Sequence, residues 1–170
     1  FASAWNEINS NNIPGAVSKQ QSLLTRSLRL QYYVLDQVDT AGVANGHARL
    51  AHESDLPLLN KWREDFGIEV GLSEAERKPA PDRVAMRVQN GEILLWEDQE
   101  HPVCMVWGTP ITPGIMNIGP VYTPLEFRGR HYGSACVTEM SRKILSDGHR
   151  AVLCADMSNP TSNAIYQRIG

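Results

Sequence analysis

With 170 residues, 42% of them apolar and 21% charged, the chain has the make-up of one globular domain, or one domain with an appendage, and can bury a core without disulfides or metal. A formal net charge of -3 argues against partners held by a bulk positive field, so neither nucleic acid nor an anionic membrane is expected and any anion site must be local. There is no apolar run near the roughly 18 residues of a membrane span and no basic-then-apolar leader, so a cytoplasmic location is expected. Cys104, Cys136 and Cys154 are odd in number and lack zinc-site spacing, which implies free thiols and no metal. Because it begins with Phe1 rather than Met, the chain is expected to be part of something longer.

Residues 1–46 read as an N-terminal appendage or the remnant of a preceding domain. They hold a Pro14-Gly15 turn, a helical stretch from Lys19 to Arg29, a strand at Leu30 to Leu35 and a small-residue boundary at Ala41 to Gly46. From residue 47 to 170 the pattern is that of one domain. A short strand, Ala48 to Ala51, leads to a helix from Ser54 to Phe66, with Ser54 or Asp55 as its cap and Leu58, Leu59, Trp62 and Phe66 at helical spacing. A weaker helix lies between Ser73 and Gln89, interrupted by Pro79 and Pro81. Strands at Ile93 to Trp96, Val103 to Thr109 and Met116 to Tyr122 form an antiparallel meander. Then comes a helix from Arg130 to Asp147 with a stripe of Tyr132, Cys136, Met140 and Ile144, and with Gly148 at its C-cap. A buried strand from Ala151 to Ala155 and a helix from Pro160 to Arg168 complete the order. The expected fold class is α/β, of the α+β mixed-sheet kind. A central sheet has helices on both faces, and the strands before and after the long helix form a parallel pair.

The loop between the third meander strand and the long helix has the residues for anion binding. Arg128, Arg130 and His131 stand just before a helix start, whose unpaired amides and dipole attract negative charge, and Gly129 and Gly133 allow close approach of the backbone. The same glycines also suit a bare strand-to-helix turn with solvated arginines. The spacing is neither that of a P-loop nor that of a dinucleotide fingerprint.

Val121 to Ala135 resembles the acetyl-CoA loop of GNAT acetyltransferases, whose pattern is Arg or Gln, two residues, Gly, one residue, Gly or Ala. Arg128, His131 and Gly133 fill those places, with His131 standing where the family has glycine. A second segment, from Asp156 to Gly170, is similar to the family's final strand and helix, with Asn159, Tyr166 and Gly170 at the matching places. Asn159 and Asn163 equally suit an N-cap and a surface position, and Tyr166 a packing role. Both motifs at the family's separation are more specific than either alone, and the phrasing is closest to a bacterial branch of the family. Members continue for one or two strands beyond the glycine matched by Gly170, so part of the sheet is expected to be missing from this sequence or to come from elsewhere.

The resemblance implies an N-acyltransferase that moves an acetyl group from acetyl-CoA to a primary amine of a small molecule or peptide by direct attack. It implies pantetheine lying against the backbone of Val121, Tyr122 and Thr123, one of whose amides would hold the thioester oxygen. It also implies phosphate binding by Arg128, Gly129, Arg130, His131, Tyr132, Gly133 and Ser134, and it makes Asn159 and Asn163 cofactor-binding residues as well. Tyr166 would be the acid for the departing thiolate, whose pKa of about 8.5 lies below the tyrosine value of about 10. No general base is assigned. Glu69 suits that role or a solvated surface, Asp65 and Glu97 are equally open, and Trp62 and Trp107 suit an acceptor pocket or the core. His131 keeps open a second reading, a non-catalytic acyl-CoA-binding sensor or scaffold, and the loop alone leaves a third, a phosphate-ligand protein of another class. The appendage covers the acceptor pocket, contributes to a homodimer or belongs to a preceding domain.

Overall fold

A strand whose successive residues are all buried needs cover on both faces, and Ile93, Leu94, Leu95 and Trp96 form such a run. The computed structural model of the chain describes residues 30–35, 37–38, 44–77 and 81–156. The expected turn at Pro14-Gly15, the helix over 19–29 and the helix over 160–168 lie outside them, as do Asn159, Asn163 and Tyr166. The strands are β1 (Leu30–Leu35), β2 (His47–Leu50), β3 (Ile93–Asp98), β4 (His101–Thr112), β5 (Ile115–Tyr122) and β6 (Arg150–Asp156). They form one sheet in the order β1-β6-β5-β4-β3-β2. β2 through β5 are antiparallel neighbours, β5 and β6 are parallel, and β1 runs antiparallel to β6 at the opposite edge from β2. The mixed sheet expected from the pattern is therefore the observed one.

Helices α1 (Leu56–Glu69), α2 (Glu74–Arg77), α3 (Pro81–Gln89) and α4 (Tyr132–Ser146) flank the sheet. Leu94, Trp96, Cys104, Val106, Ile118 and Leu153 pack with Tyr132, Cys136, Met140 and Ile144 of α4. Ile93, Leu95, Met105 and Trp107 pack instead with Leu59 and Trp62 of α1 and Val84 and Val88 of α3. Odd and even positions of β3 thus serve different layers, each large buried side chain contributing about 1.5–3 kcal/mol. Trp107 is a core residue rather than a free pocket wall.

The stripe expected on the long helix is buried throughout. Its end is a left-handed cap, with Gly148 at φ 80° and amides of Gly148 and His149 bonded back to the carbonyls of Leu145 at 3.0 Å and Ile144 at 3.1 Å. A Cβ at Gly108 of β4 would lie 2.8 Å from Met140 Sδ, so the missing side chain is what lets α4 settle against the sheet at this distance.

The start of α1 differs from expectation. A 3-10 turn over Glu53–Asp55 precedes it, and the helix continues to Glu69. Asp55 occupies the N-cap position without making a side-chain cap bond. Its carboxylate instead accepts Nη1 and Nη2 of Arg49 at 2.7 and 2.9 Å and the amide of His52 at 2.8 Å. Arg49 Nε also donates to Glu97 at 2.7 Å, so Glu97 is committed to tying β3 to β2 and the entry of α1. A bidentate guanidinium contact outweighs a single cap bond, which explains the changed role.

The Arg49 hydrogen bond holds the Asp55 carboxyl below its usual range against the opposing effect of burial. A depressed folded-state value contributes stability that is fully present above the unfolded value of about 4 and is lost as pH falls through the folded one. Asp55→Asn is expected to lower unfolding free energy by about 1–3 kcal/mol at pH 7. Urea titrations of both proteins at pH 7 and pH 3 should show the difference shrinking toward the acid side; an equal difference at both would refute the assignment.

Candidate functional site

β5 and β6 begin as a parallel pair but share register over only Ile115 to Ile118 against Arg150 to Leu153. β5 runs on to Tyr122 and β6 to Asp156. Pro120, just past the last pair, has no amide hydrogen to give to a ladder. On its other side β5 stays with β4, Val121 opposite Val106 and Tyr122 opposite Met105. The sheet therefore has a gap on one side of Val121 and Tyr122, with their backbone facing it.

The chain leaves that gap through Thr123, a 3-10 turn over Leu125–Phe127, and the run from Arg128 to His131 into α4. Gly129 has φ 78° and open space where a Cβ would stand. His131 is the N-cap of α4 at φ 63°, ψ 9°, in the left-handed region that the family's glycine would occupy without strain. Its side chain makes no cap bond, and the first helical bond reaches from the Ala135 amide to the His131 carbonyl at 3.0 Å. The amides of Tyr132, Gly133 and Ser134 thus come before the helix's own bonding begins and present donors to a ligand. A Cβ on Gly133 would make only ordinary contact with Thr123 Oγ1, at 3.7 Å, so glycine there is not forced by neighbouring protein atoms. An open, donor-rich turn of this shape fits a diphosphate, with Arg128 and Arg130 beside it.

Several side chains have partners that the sequence did not announce. Tyr132 is buried, and its hydroxyl donates to Asp98 at the end of β3, a bond that, with burial, pushes the phenol's pKa up. Arg128 donates through Nε to the Thr123 carbonyl at 2.8 Å and through Nη2 to Glu69 at 2.6 Å. Glu69 is the last residue of α1, so this pair joins the helix to the loop at the mouth of the gap. Tyr122 lies against Trp62 of α1, with ring centroids 6.1 Å apart. Burial pushes the Tyr122 hydroxyl up, the charge of Asp65 adds to that, and Arg128 opposes it. Val121, Tyr122 and Thr123 and the run from Arg128 to Ser134 are thus continuous, with α1 over one end. Nothing in the sequence marks Asp98 as the partner of Tyr132; only the pairing of β3 with β4 beside α4 brings the two together.

No helix among the described residues is long and apolar enough to cross a membrane, and no group of three or more His, Cys, Asp or Glu among them could hold a metal ion.

The fold is that of the GNAT acetyltransferases. The described topology is similar to an acetyltransferase of the GNAT family from Colwellia psychrerythraea, with a TM-score of 0.65 and 9% identity over 84% of this chain and 51% of that one. It is also similar to a GCN5-related N-acetyltransferase from Sphaerobacter thermophilus, at 0.64 and 21% over 84% of this chain and 48% of that one. A Brucella melitensis GNAT acetyltransferase in complex with acetyl-CoA gives 0.56 and 18%, over 71% and 82% of the two chains. This chain spans about half the length of the first two. No curated protein matches the sequence. Residues 104–170 match the family model described as FR47-like protein. By that match over its C-terminal part and by the fold of the described residues, the chain is similar to the GNAT acetyltransferases.

His131 provides a direct check on the loop's backbone. His131→Gly should leave thermal stability equal or higher, whereas His131→Val, β-branched in the left-handed region, should cost about 1–2 kcal/mol. Thermal unfolding of the three proteins decides it: a valine variant as stable as the parent would exclude the left-handed conformation.

Proposed function

We propose that the protein is an acetyl-CoA-dependent N-acyltransferase that passes the acetyl group directly to a primary amine of a small molecule or peptide. The observation that supports this best is the divergence of β5 and β6 after Ile118 and Leu153, with the uncapped start of α4 at its open end. Pantetheine would lie in the gap along Val121, Tyr122 and Thr123 as an added strand. The diphosphate would meet the amides from Gly129 to Ser134, together with Arg128, Arg130 and His131. Tyr132 would serve through its amide, since its hydroxyl is held by Asp98.

In the reaction the neutral amine attacks the thioester carbonyl carbon, and a β5 amide stabilises the oxyanion. Collapse breaks the C–S bond, the thiolate takes a proton from Tyr166, and the proton shed by the nitrogen passes through water, with Tyr166 regaining one from solvent. Asn159 and Asn163 would also take part in binding the cofactor. Tyr122, backed by the buried Trp62, would form the acceptor side, where α1 covers the end of β5. A second reading, binding of an acyl-CoA without turnover, is favoured by one observation: an imidazole, rather than glycine, stands at the N-cap of α4.

Calorimetry of the full-length protein with acetyl-CoA, CoA and ATP tests the donor, and binding of neither CoA compound would sink both readings. Acetyl-CoA binding with no transfer to any of a panel of amines would favour the second. Tyr166→Phe should lower the transfer rate by roughly 10²-fold or more with acetyl-CoA affinity nearly unchanged; a fully active variant removes Tyr166 from the acid role. Arg128→Ala should weaken CoA binding while sparing the acceptor's KM.

A further inference from the structure

Arginine is permanently charged and has donors only, so each buried guanidinium needs an acceptor. Arg49, Arg87, Arg128 and Arg142 have carboxylates: Asp55 with Glu97, Glu92, Glu69 and Glu139 respectively. Three other arginines do not: Arg63 of α1 and Arg77 of α2, whose side chains lie together, and Arg83 near the start of α3. A Cβ built on Gly67 of α1 would lie 2.8 Å from Arg77 Cγ of α2 and 3.2 Å from Arg63 Nη1 of α1, so these two side chains lie together over the glycine. Nη1 of Arg63 and Nε of Arg77 are both buried without a hydrogen-bond partner. Arg77 Nη1 spends one donor on the Leu72 carbonyl at 3.2 Å. Burial lowers the pKa of Arg63, and the charge of Arg83, from the exposed start of α3, lowers it further. Among the described residues no ion pair joins any of the three to a carboxylate, and Oε2 of Glu76, next to Arg77 in sequence, accepts the amide and hydroxyl of Ser73 at 2.9 and 2.6 Å.

A buried donor without an acceptor costs about 1–3 kcal/mol, and like charges held together add to that. An oxyanion between planar guanidinium forks would remove both penalties. The cluster's place suggests whose oxyanion it is. Arg63 follows Trp62, which reaches Tyr122 at the end of β5, and Glu69 of the same helix reaches the loop residue Arg128. One helix thus spans from the cluster to the gap, while the donor's own phosphates have the separate turn before α4.

We propose that Arg63, Arg77 and Arg83 form an anion subsite that takes a carboxylate or phosphate carried by the amine acceptor, an assignment that rests on the acyltransferase reading. Titration of inorganic phosphate, and separately acetate, into the full-length protein at constant ionic strength, with CoA saturating, tests the site itself. Saturable binding is expected, at least tenfold weaker in Arg83→Gln, whose exposed position leaves folding intact, and weaker again in Arg63→Gln. No saturable binding, or affinity unchanged in Arg83→Gln, overturns the subsite. Acetylation rates for α-amino acids and phosphorylated amines against their uncharged amide and alcohol counterparts test the acceptor assignment. The charged forms should be preferred at least tenfold, and Arg83→Gln should raise their KM without altering acetyl-CoA affinity. Transfer that ignores the charge overturns the assignment to the acceptor. A protein that binds phosphate at the arginines but neither binds acetyl-CoA nor transfers acetyl groups refutes the enzyme reading and leaves the anion subsite standing.

Discussion

Parallel strands hold together only while each can donate and accept in turn, and β5 stops doing so toward β6 after Ile118. The proline at 120 removes a donor at the point where the ladder would have to continue. Antiparallel pairing with β4 keeps Val121 and Tyr122 in the sheet nonetheless, so the backbone on their open side is left for something else. The geometry of the candidate site follows from that local failure: a gap in the sheet, a tight turn at its mouth, and a helix whose first amides point at it.

Polar ties keep these parts in register. Tyr132 fixes the first turn of α4 to the end of β3 through Asp98, so the helix start cannot drift from the sheet. Arg128 and Glu69 link the loop to α1, but both side chains stand partly in water, where such a pair is weak and easily exchanged. The first tie therefore suits a fixed scaffold. The second suits a contact that a bound phosphate can replace, since Arg128 can turn from a carboxylate to a phosphate with the same donors.

Much of this was readable in the residues because it depends on neighbours in sequence. The stripe on α4, the glycine that ends it and the three strand segments of the meander are local patterns, and they correspond to observed elements. The boundaries shifted where long-range partners intervened. Asp55 looks like a cap, yet Arg49 claims its carboxylate; β4 extends beyond its apolar stretch because β3 and β5 hold its ends; Glu97 looks open but belongs to Arg49. Asp98, Glu69 and the arginines at 63, 77 and 83 gain meaning only from elements that meet in space. His131 was visible as a discordant residue, and the backbone supplies the reason that it is tolerated: the loop's left-handed angle is one an unbranched side chain can adopt at modest cost.

The strand at 30–35 reads in sequence as part of an appendage, and it pairs with β6 from Leu30 opposite Asp156 to Leu35 opposite Ala151. Partners so distant along the chain meet only after a long loop has closed, whose entropy must be met before the contact gives anything back. The wall of the gap formed by β6 is thus the piece of the sheet whose assembly depends on chain far upstream. The antiparallel meander of β2 to β5 can form from near neighbours on a faster timescale. The two sides of the candidate site would then mature at different times, with the loop and α4 in between as the bridge from the early half to the late one.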